Sequence, residues 1–412
     1  MKMGVKLHKQ AGFSLVELLV ALIISFLIMF AALGSASFYE ANRRNTIGGN
    51  TALENAMASV ANIQKDARMA GLGITGSNGI ATCSTINVYY NGTTTNATAY
   101  SAVSITKGAD DQTSDQITFA YSDPIGTVPV STLVCKNRNK DNQDVCDDTN
   151  ANGPPAASSD IPVLSTVGFT ASQVAMLVPP PDLKPAPDKV PLPCTVVGIT
   201  AVQDASSRIQ IHPTNNCNVQ DKDPACWNPP NAGPFTKLTG ICNDGTTDCN
   251  NNTKNIPPGT RLMTTGPIRW VTYRINDQQE FEKIEQTGSA AGLTSVIAEN
   301  VVMLRVQYGL SASASSSKII KWSNTAADQS TVKAIRVVVV GRSPQRVKDK
   351  NAAGTCTATT AAPTHGLIVT EGQDDSIAID LSSNPDWRCF YYKTTSMTVP
   401  LKNILMQTSS PN

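Results

Sequence analysis

The sequence predicts an α+β protein: a long N-terminal helix packed on an antiparallel β-sheet, with a large loop-rich, disulfide-bearing insertion. Three observations predict it. Residues 13–34 form an apolar stretch that leads into an amphipathic helical pattern. Residues 267–405 hold successive segments rich in Val, Ile, Thr and Tyr, the composition of strands. Between them, residues 80–260 are rich in Thr, Asn, Asp, Gly and Pro and carry eight of the ten cysteines.

The chain opens on MKMGVKLHKQAG, residues 1–12, which hold Lys2, Lys6 and Lys9, no acid, and end in a small residue. From Phe13 to Gly34 the sequence FSLVELLVALIISFLIMFAALG is apolar except for Ser14, Glu17 and Ser25. As a helix these 22 residues span about 33 Å, the thickness of a bilayer core. Basic residues before the stretch give an N-in, C-out orientation, with Arg43 and Arg44 weakening the asymmetry. A secretory signal peptide would be cut after the stretch, and Gly34-Ser35-Ala36-Ser37 offers such a site. Against that stands Glu17, whose burial in a bilayer costs roughly 2.5 to 3.5 kcal/mol near the helix centre and less near its end. An ionisable group retained there implies a use.

The helical pattern continues through SASFYEANRR to Gly48-Gly49, a pair expected to interrupt or bend it. Thr51 to Glu54 reads as a capping box for a second segment. Leu53, Met57, Val60 and Ala61 are expected on its buried face, and Gly71 and Gly73 as its stop signals.

In the insertion, PPPDLKPAPDKVPLP (179–193) reads as a polyproline II connector, and QITFAY (116–121) and SRIQIHP (207–213) as short strands. Beyond it, PIRWVTYRI (267–275), FEKIEQ (281–286), NVVMLRVQYGL (300–310), VKAIRVVVVGRSP (332–344) and RCFYYKTTSMTVPLKNIL (388–405) are expected as successive strands of one sheet.

The segment AGFSLVELLVALII closely resembles the class III signal of type IV prepilins and type II secretion pseudopilins. The resemblance implies cleavage after Gly12, methylation of the new N-terminus at Phe13 and retention of the apolar helix. It also implies that Glu17 pairs with the N-terminal amine of a neighbouring subunit in the filament, two charges that need one another once removed from water. KDARMAGLGITG (65–76), the order of the later strands and the closing YKTTSMTVPLKN are similar to PilW-type minor pilins and J-type pseudopilins. The resemblance covers residues 1–76 and 267–405 and is silent on the insertion.

What it implies is a type IV pilin fold divided as follows: leader peptide 1–12, transmembrane and filament-core helix 13–36, second half of the helix 37–76, cysteine-containing insertion 77–266 and C-terminal sheet 267–412. The implied function is that of a minor pilin, a structural subunit that helps to initiate the type IV pilus and sits at its tip, in support of twitching motility, adhesion or DNA uptake. The implied partners are other major and minor pilins, the prepilin peptidase, the inner membrane, the pilus assembly platform and a tip adhesin. The protein would pass once through the inner membrane, with its C-terminal domain in the periplasm, and then reach the cell-surface pilus. Two rivals are a J-type pseudopilin, which the length and the ten cysteines disfavour, and a tip adhesin whose insertion binds a ligand.

The ten cysteines behind an export signal read as disulfides, and none has the two-residue spacing of a zinc or redox motif. Proximity suggests Cys135–Cys146, Cys217–Cys226, Cys242–Cys249 and Cys356–Cys389 as pairs. Asp148, Asn150 and Asn152 before Gly153 match the first half of a calcium loop, but Ser159 stands where the bidentate Glu belongs, and a solvated loop is the favoured reading. Asn243 to Asp248 is a weaker match. No other cofactor is expected.

The charge balance, 33 basic against 32 acidic residues, excludes a broad basic field for nucleic acid; loss of the three leader lysines would turn +1 into −2. Three histidines supply little acid–base or metal chemistry, and the sequence holds no Walker loop, GxSxG elbow or HExxH motif, so no enzyme is expected.

Overall fold

A computed structural model describes residues 14–73, 85–90, 93–99, 101–122, 130–132, 160–178, 194–211, 224–228, 260–287, 292–313, 315–346, 356 and 358–405. The first described element is α1 (Leu15–Met69), 55 residues long or about 82 Å. Its sequence is rich in Leu, Ala, Ile and Met and free of proline, so nothing opposes the helical ladder. Ser25 and Ser35 donate to the carbonyls of Ala21 and Ala31, so these two hydroxyls are satisfied within the helix. The helix stops where expected: Gly71 and Gly73 adopt left-handed φ of 77° and 69°.

Gly48-Gly49 does not interrupt the helix. Gly49 is buried, and a Cβ at Gly48 would lie 3.2 Å from that of Ser343. The pair lets the helix seat against strands instead of breaking it. Thr51 forms no capping box for the same reason; it lies inside the helix and its hydroxyl donates to Ile47 O. The buried stripe is Ala52, Ala56, Val60, Ile63, Ala67 and Ala70, at helical i+3 and i+4 spacing. Leu53 and Met57, expected on that face, are 37% and 55% exposed, and Ala61 is exposed too. Distance decides this: a Cβ on Gly341 would overlap the Ala52 carbonyl oxygen, so only small side chains fit where backbone meets backbone.

The described strands follow in chain order. The first are β1 (Thr85–Tyr90), β2 (Thr93–Ala99), β3 (Val103–Thr106), β4 (Gln116–Ser122), β5 (Val130–Thr132) and β6 (Asp160–Pro162). Next come β7 (Val174–Val178), β8 (Cys194–Gly198), β9 (Ala201–Gln203), β10 (Arg208–Gln210), β11 (Arg261–Thr264) and β12 (Ile268–Ile275). The last are β13 (Phe281–Thr287), β14 (Leu293–Ala298), β15 (Val301–Ser311), β16 (Ile319–Ser323), β17 (Val332–Arg342) and β18 (Tyr392–Pro400), before the one-turn helix α2 (Lys402–Leu405).

These strands form four sheets, ordered β16-β15-β17-β18, β14-β13-β12-β4-β3, β2-β1-β8-β7-β11-β5 and β6-β10-β9. All described pairings are antiparallel except β1 with β8. The single C-terminal sheet expected over 267–405 is thus two. The chain leaves the first at Asn300, whose left-handed φ of 55° turns β14 into β15, and α1 covers both. β3 and β4 lie within the residues expected as insertion, yet β4 pairs with β12 from Ser122 opposite Ile268 to Ile117 opposite Tyr273.

The main core joins Ala56, Val60, Ile63 and Ala67 of α1 to Ile117 and Phe119, Val271 and Tyr273, Leu304 and Val306, and Ile335 and Val337. The six-stranded sheet has a core on each face. β7 is apolar throughout, so Ala175 and Leu177 face Ile161, Ile209 and Ile211, while Val174, Met176 and Val178 face Trp227 and Ile268. The region read as loop-rich therefore carries its own hydrophobic core.

Candidate functional site

The apolar half of α1 is the most distinctive surface of the molecule. From Leu15 to Glu40 the helix is long and apolar enough to cross a membrane, and none of its described side chains is buried. Leu18, Leu22, Ile23, Phe26, Phe30 and Leu33 are all roughly half exposed or more. A helix meets the hydrogen-bonding needs of its own backbone, which is why such a stretch suits lipid or a bundle of like helices. Glu17 stands in the first turn, exposed, and is the one charged residue between Ser14 and Tyr39. The positive end of the helix dipole favours a carboxylate there. Gly12 and Phe13 lie outside the described residues. Residues 7–33 match the prokaryotic N-terminal methylation motif. The matched residues take in Glu17 and most of the apolar stretch. Among solved structures it is similar to a type IV-like pilin from Thermus thermophilus, 18% identical, with a TM-score of 0.24 over 38% of this chain and 75% of that one. No curated protein matches the chain.

The second half of α1 is held to the sheets by a polar device that sequence reasoning missed. Asp66 is buried on the apolar stripe and accepts hydrogen bonds from Tyr273 Oη at 2.6 Å and Tyr121 Oη at 3.2 Å. Lys283 Nζ lies 3.1 Å from the same carboxylate and also pairs with Glu285. Burial first, then the neighbouring Asp66, raises the pKa of both tyrosines well above the ordinary phenol range. Burial acts to depress Lys283, but hydrogen bonds to Glu285 and Asp66 outweigh it and the amine is raised. The legible signal was a lone carboxylate between Ile63 and Ala70. At the helix end, Asn403 Nδ2 donates to the carbonyls of Arg68, Met69 and Ala70, the last of the helix, and Met69 O accepts from Leu72 N as well.

A second buried carboxylate, Asp115, ties the β3–β4 hairpin to β15. It accepts from Lys107 Nζ at 2.5 Å, Val306 N at 2.8 Å, Gly108 N at 3.0 Å and Arg305 Nη1 at 3.3 Å. A polar cavity of about 200 Å³ opens beside it, lined by Lys107, Asp110, Arg305, Gln307, Asn324 and Ser376. Arg305 directs its guanidinium to Thr113 O, Asp110 O and Ala378 O, so its donors serve the fold.

Residues 358–391 form a strap over the outer face of β15 and β17. Gln307 donates to Asp375 O, Arg336 to Ile368 O, and Leu381 packs on Met303 and Val340. A disulfide between Cys356 and Cys389, the pair suggested by proximity, closes it. Cys194 is buried and disulfide-bonded, a cysteine to which sequence proximity assigned no partner. Cys226 is buried on the 3₁₀ turn Pro224–Trp227. Cys135, Cys146, Cys217, Cys242 and Cys249 lie outside the described residues, as do Asp148, Asn150 and Asn152 of the calcium candidate. Among the described residues no three His, Cys, Asp or Glu side chains gather as a metal site.

Proposed function

We propose that the protein is a minor pilin of the PilW type, a structural subunit that helps to initiate assembly of the type IV pilus and sits at its tip. The observation that carries this reading is the apolar helix from Leu15 to Glu40, unburied through its apolar stretch, with Glu17 in its first turn and its first half within the matched N-terminal methylation motif. Such a helix needs one apolar environment before assembly and another after it: first the bilayer, then the packed helices of neighbouring subunits. The prepilin peptidase would cut after Gly12 and expose the amine of Phe13, which Glu17 of an adjacent subunit would neutralise in the filament. The head, comprising the sheets and the second half of α1, would face the periplasm and then the cell surface. Its partners would be major and minor pilins, the assembly platform and a tip adhesin, and its role is structural, not catalytic.

The second reading, a J-type pseudopilin, shares the helix and its processing. Deleting the gene and scoring surface pili and secreted proteins side by side separates the two. Loss of pili with normal secretion supports the minor pilin, and the reverse outcome overturns it. The six-stranded sheet, with a core on each face, is the element on which a tip adhesin would carry its ligand site.

A further inference from the structure

We propose that the end of the head from which the apolar helix emerges is a docking surface for anionic lipid headgroups; this rests on the membrane-anchored reading above. That end is fixed by β17 and β18. Lys393 Cε lies 3.8 Å from where a Cβ on Gly49 would stand, and Ser343 Cβ 3.2 Å from one on Gly48. Ser343 N donates to Tyr391 O, and Arg342 lies over the Phe390 ring, so the end of β17 and the approach to β18 form one surface beside the departing helix.

The apolar span ends at Glu40, nine residues before Gly49, or about 14 Å along the helix. Headgroups extend several ångströms beyond the hydrocarbon, and the field of an anionic leaflet reaches about 8 Å further at physiological salt. The head therefore stands within that field.

The chemistry of the surface suits phosphate. Arg43 pairs with Glu40 and Arg346 with Asp386, but Arg342, Arg388 and Lys393 make no ion pair with a described acid; exposed Glu299, at the β14–β15 turn, offsets part of their charge. Arg342 and Arg388 are stacked on Phe390 and Trp387, with guanidinium carbons 4.2 and 5.2 Å from the ring centroids. Stacking holds each planar fork in place; Arg342 gives Nη2 to Asn300 Oδ1 at 3.2 Å and its Nε is buried, so the donors open to a phosphate are those of the exposed Arg388 and Lys393. Trp387, Tyr391 and Tyr392 are half-buried alongside, the residue types that favour the membrane–water interface. Cations with spare donors, interfacial aromatics and an adjoining membrane span point to a lipid surface.

The test uses the full chain reconstituted in vesicles of phosphatidylcholine alone or containing phosphatidylglycerol, with amide exchange as readout. In anionic vesicles, exchange across Arg388 to Lys393 should slow at least about fivefold relative to neutral ones, and added salt should abolish the difference. R388Q with K393Q should lose it, each substitution weakening docking roughly fivefold, while R388K with K393R retains it. β17 amides report whether each variant is folded. Equal exchange in both vesicle types, with the helix inserted, overturns this proposal alone. Failure to insert overturns the anchored reading and this proposal with it.

Discussion

The hydroxyl of Tyr273 donates a 2.6 Å hydrogen bond to the carboxylate of Asp66, joining β12 to the buried face of α1. Tyr273 also reaches Asn62 O, one turn earlier, so the ring fixes both the rotation and the axial position of the helix on the sheet. The close approach of Ala52 to Gly341 sets the helix on one sheet, and the buried carboxylate, with two phenols and an amine around it, sets it on the other. Tyr273→Phe should therefore cost about 1.5 to 3 kcal/mol, the range for a hydrogen bond to a charged group. Asp66→Ala should cost more, roughly 3 to 5 kcal/mol, because it leaves Lys283 and two buried hydroxyls behind. Urea denaturation of the detergent-solubilised chain measures both, and equal losses would show that the carboxylate is not the centre of the device.

The same tyrosines set a limit at alkaline pH. Tyr121 and Tyr273 are raised by burial and by Asp66, and Tyr392 is pushed up to about 12 by burial, with Arg342 opposing in part. A phenol whose folded pKa exceeds its unfolded value of 10.0 contributes stability that is complete below pH 10 and is lost as pH rises through the folded value. Stability should hold to about pH 10 and then fall, and Tyr392→Phe should flatten the part of the fall between pH 10 and about 12. Urea midpoints across that window, for wild type and variant, check it.

How far the sequence disclosed this architecture depends on what each signal encodes. Gly71 and Gly73 were legible as helix stops because left-handed backbone is a local property of glycine. The runs that became β12, β15 and β17 were legible because strand propensity and alternation are local too. Which strands pair is not local: VSIT at 103–106 sits in polar sequence, and nothing in it shows that β4 would bridge it to β12. The helix face was misread because hydrophobicity ranks Leu53 and Met57 above Ala52 and Ala56, whereas the close approach of Gly341 selects the alanines. Asp66 was legible in principle, as a charge at a buried position of an apolar stripe, and so was Glu17 by the same logic in the first half of the helix.

Close approach at Gly341 leads to a contrast between glycines. Gly341→Ala would drive a methyl into the Ala52 carbonyl, backbone against backbone, and should destabilise by about 1 to 3 kcal/mol or more. Gly49→Ala meets only the end of a flexible lysine at 3.8 Å and should be neutral or stabilising by up to about 1 kcal/mol, the gain of alanine over glycine in a helix. Thermal unfolding of the two variants decides it; the opposite order would mean that helix and sheet are further apart than described.

The strap offers a third measurement. Cys356 and Cys389 close a loop across 33 positions, and such a cross-link contributes roughly 2 to 4 kcal/mol by restricting the unfolded chain. Replacing both by serine should lower stability by that amount and raise amide exchange across 358–391, since the strap is otherwise held by contacts such as Gln307 to Asp375 O and Leu381 on Met303. Exchange in β12, on the other sheet, should not change. A uniform rise throughout the head would show that the strap is part of one cooperative unit with both sheets.

The last prediction concerns Glu17. In a bilayer its carboxylate lies near the end of the span, within reach of water, so Glu17→Ala should ease insertion and leave processing intact. N-terminal sequencing of membrane-extracted protein should then begin at Phe13 for wild type and variant alike, whereas a start near Ser37 would indicate removal of the whole apolar segment. In a filament the same carboxylate would face the Phe13 amine of an adjacent subunit. Removing it leaves that amine buried and unpaired, at a cost of roughly 3 to 5 kcal/mol if the pair is well enclosed, so incorporation should fall steeply. Glu17→Asp keeps the charge on a shorter arm and should be milder. Co-purification with sheared pili at matched membrane levels measures the difference; normal incorporation of Glu17→Ala would leave the exposed helix as a membrane tether with no part in subunit pairing.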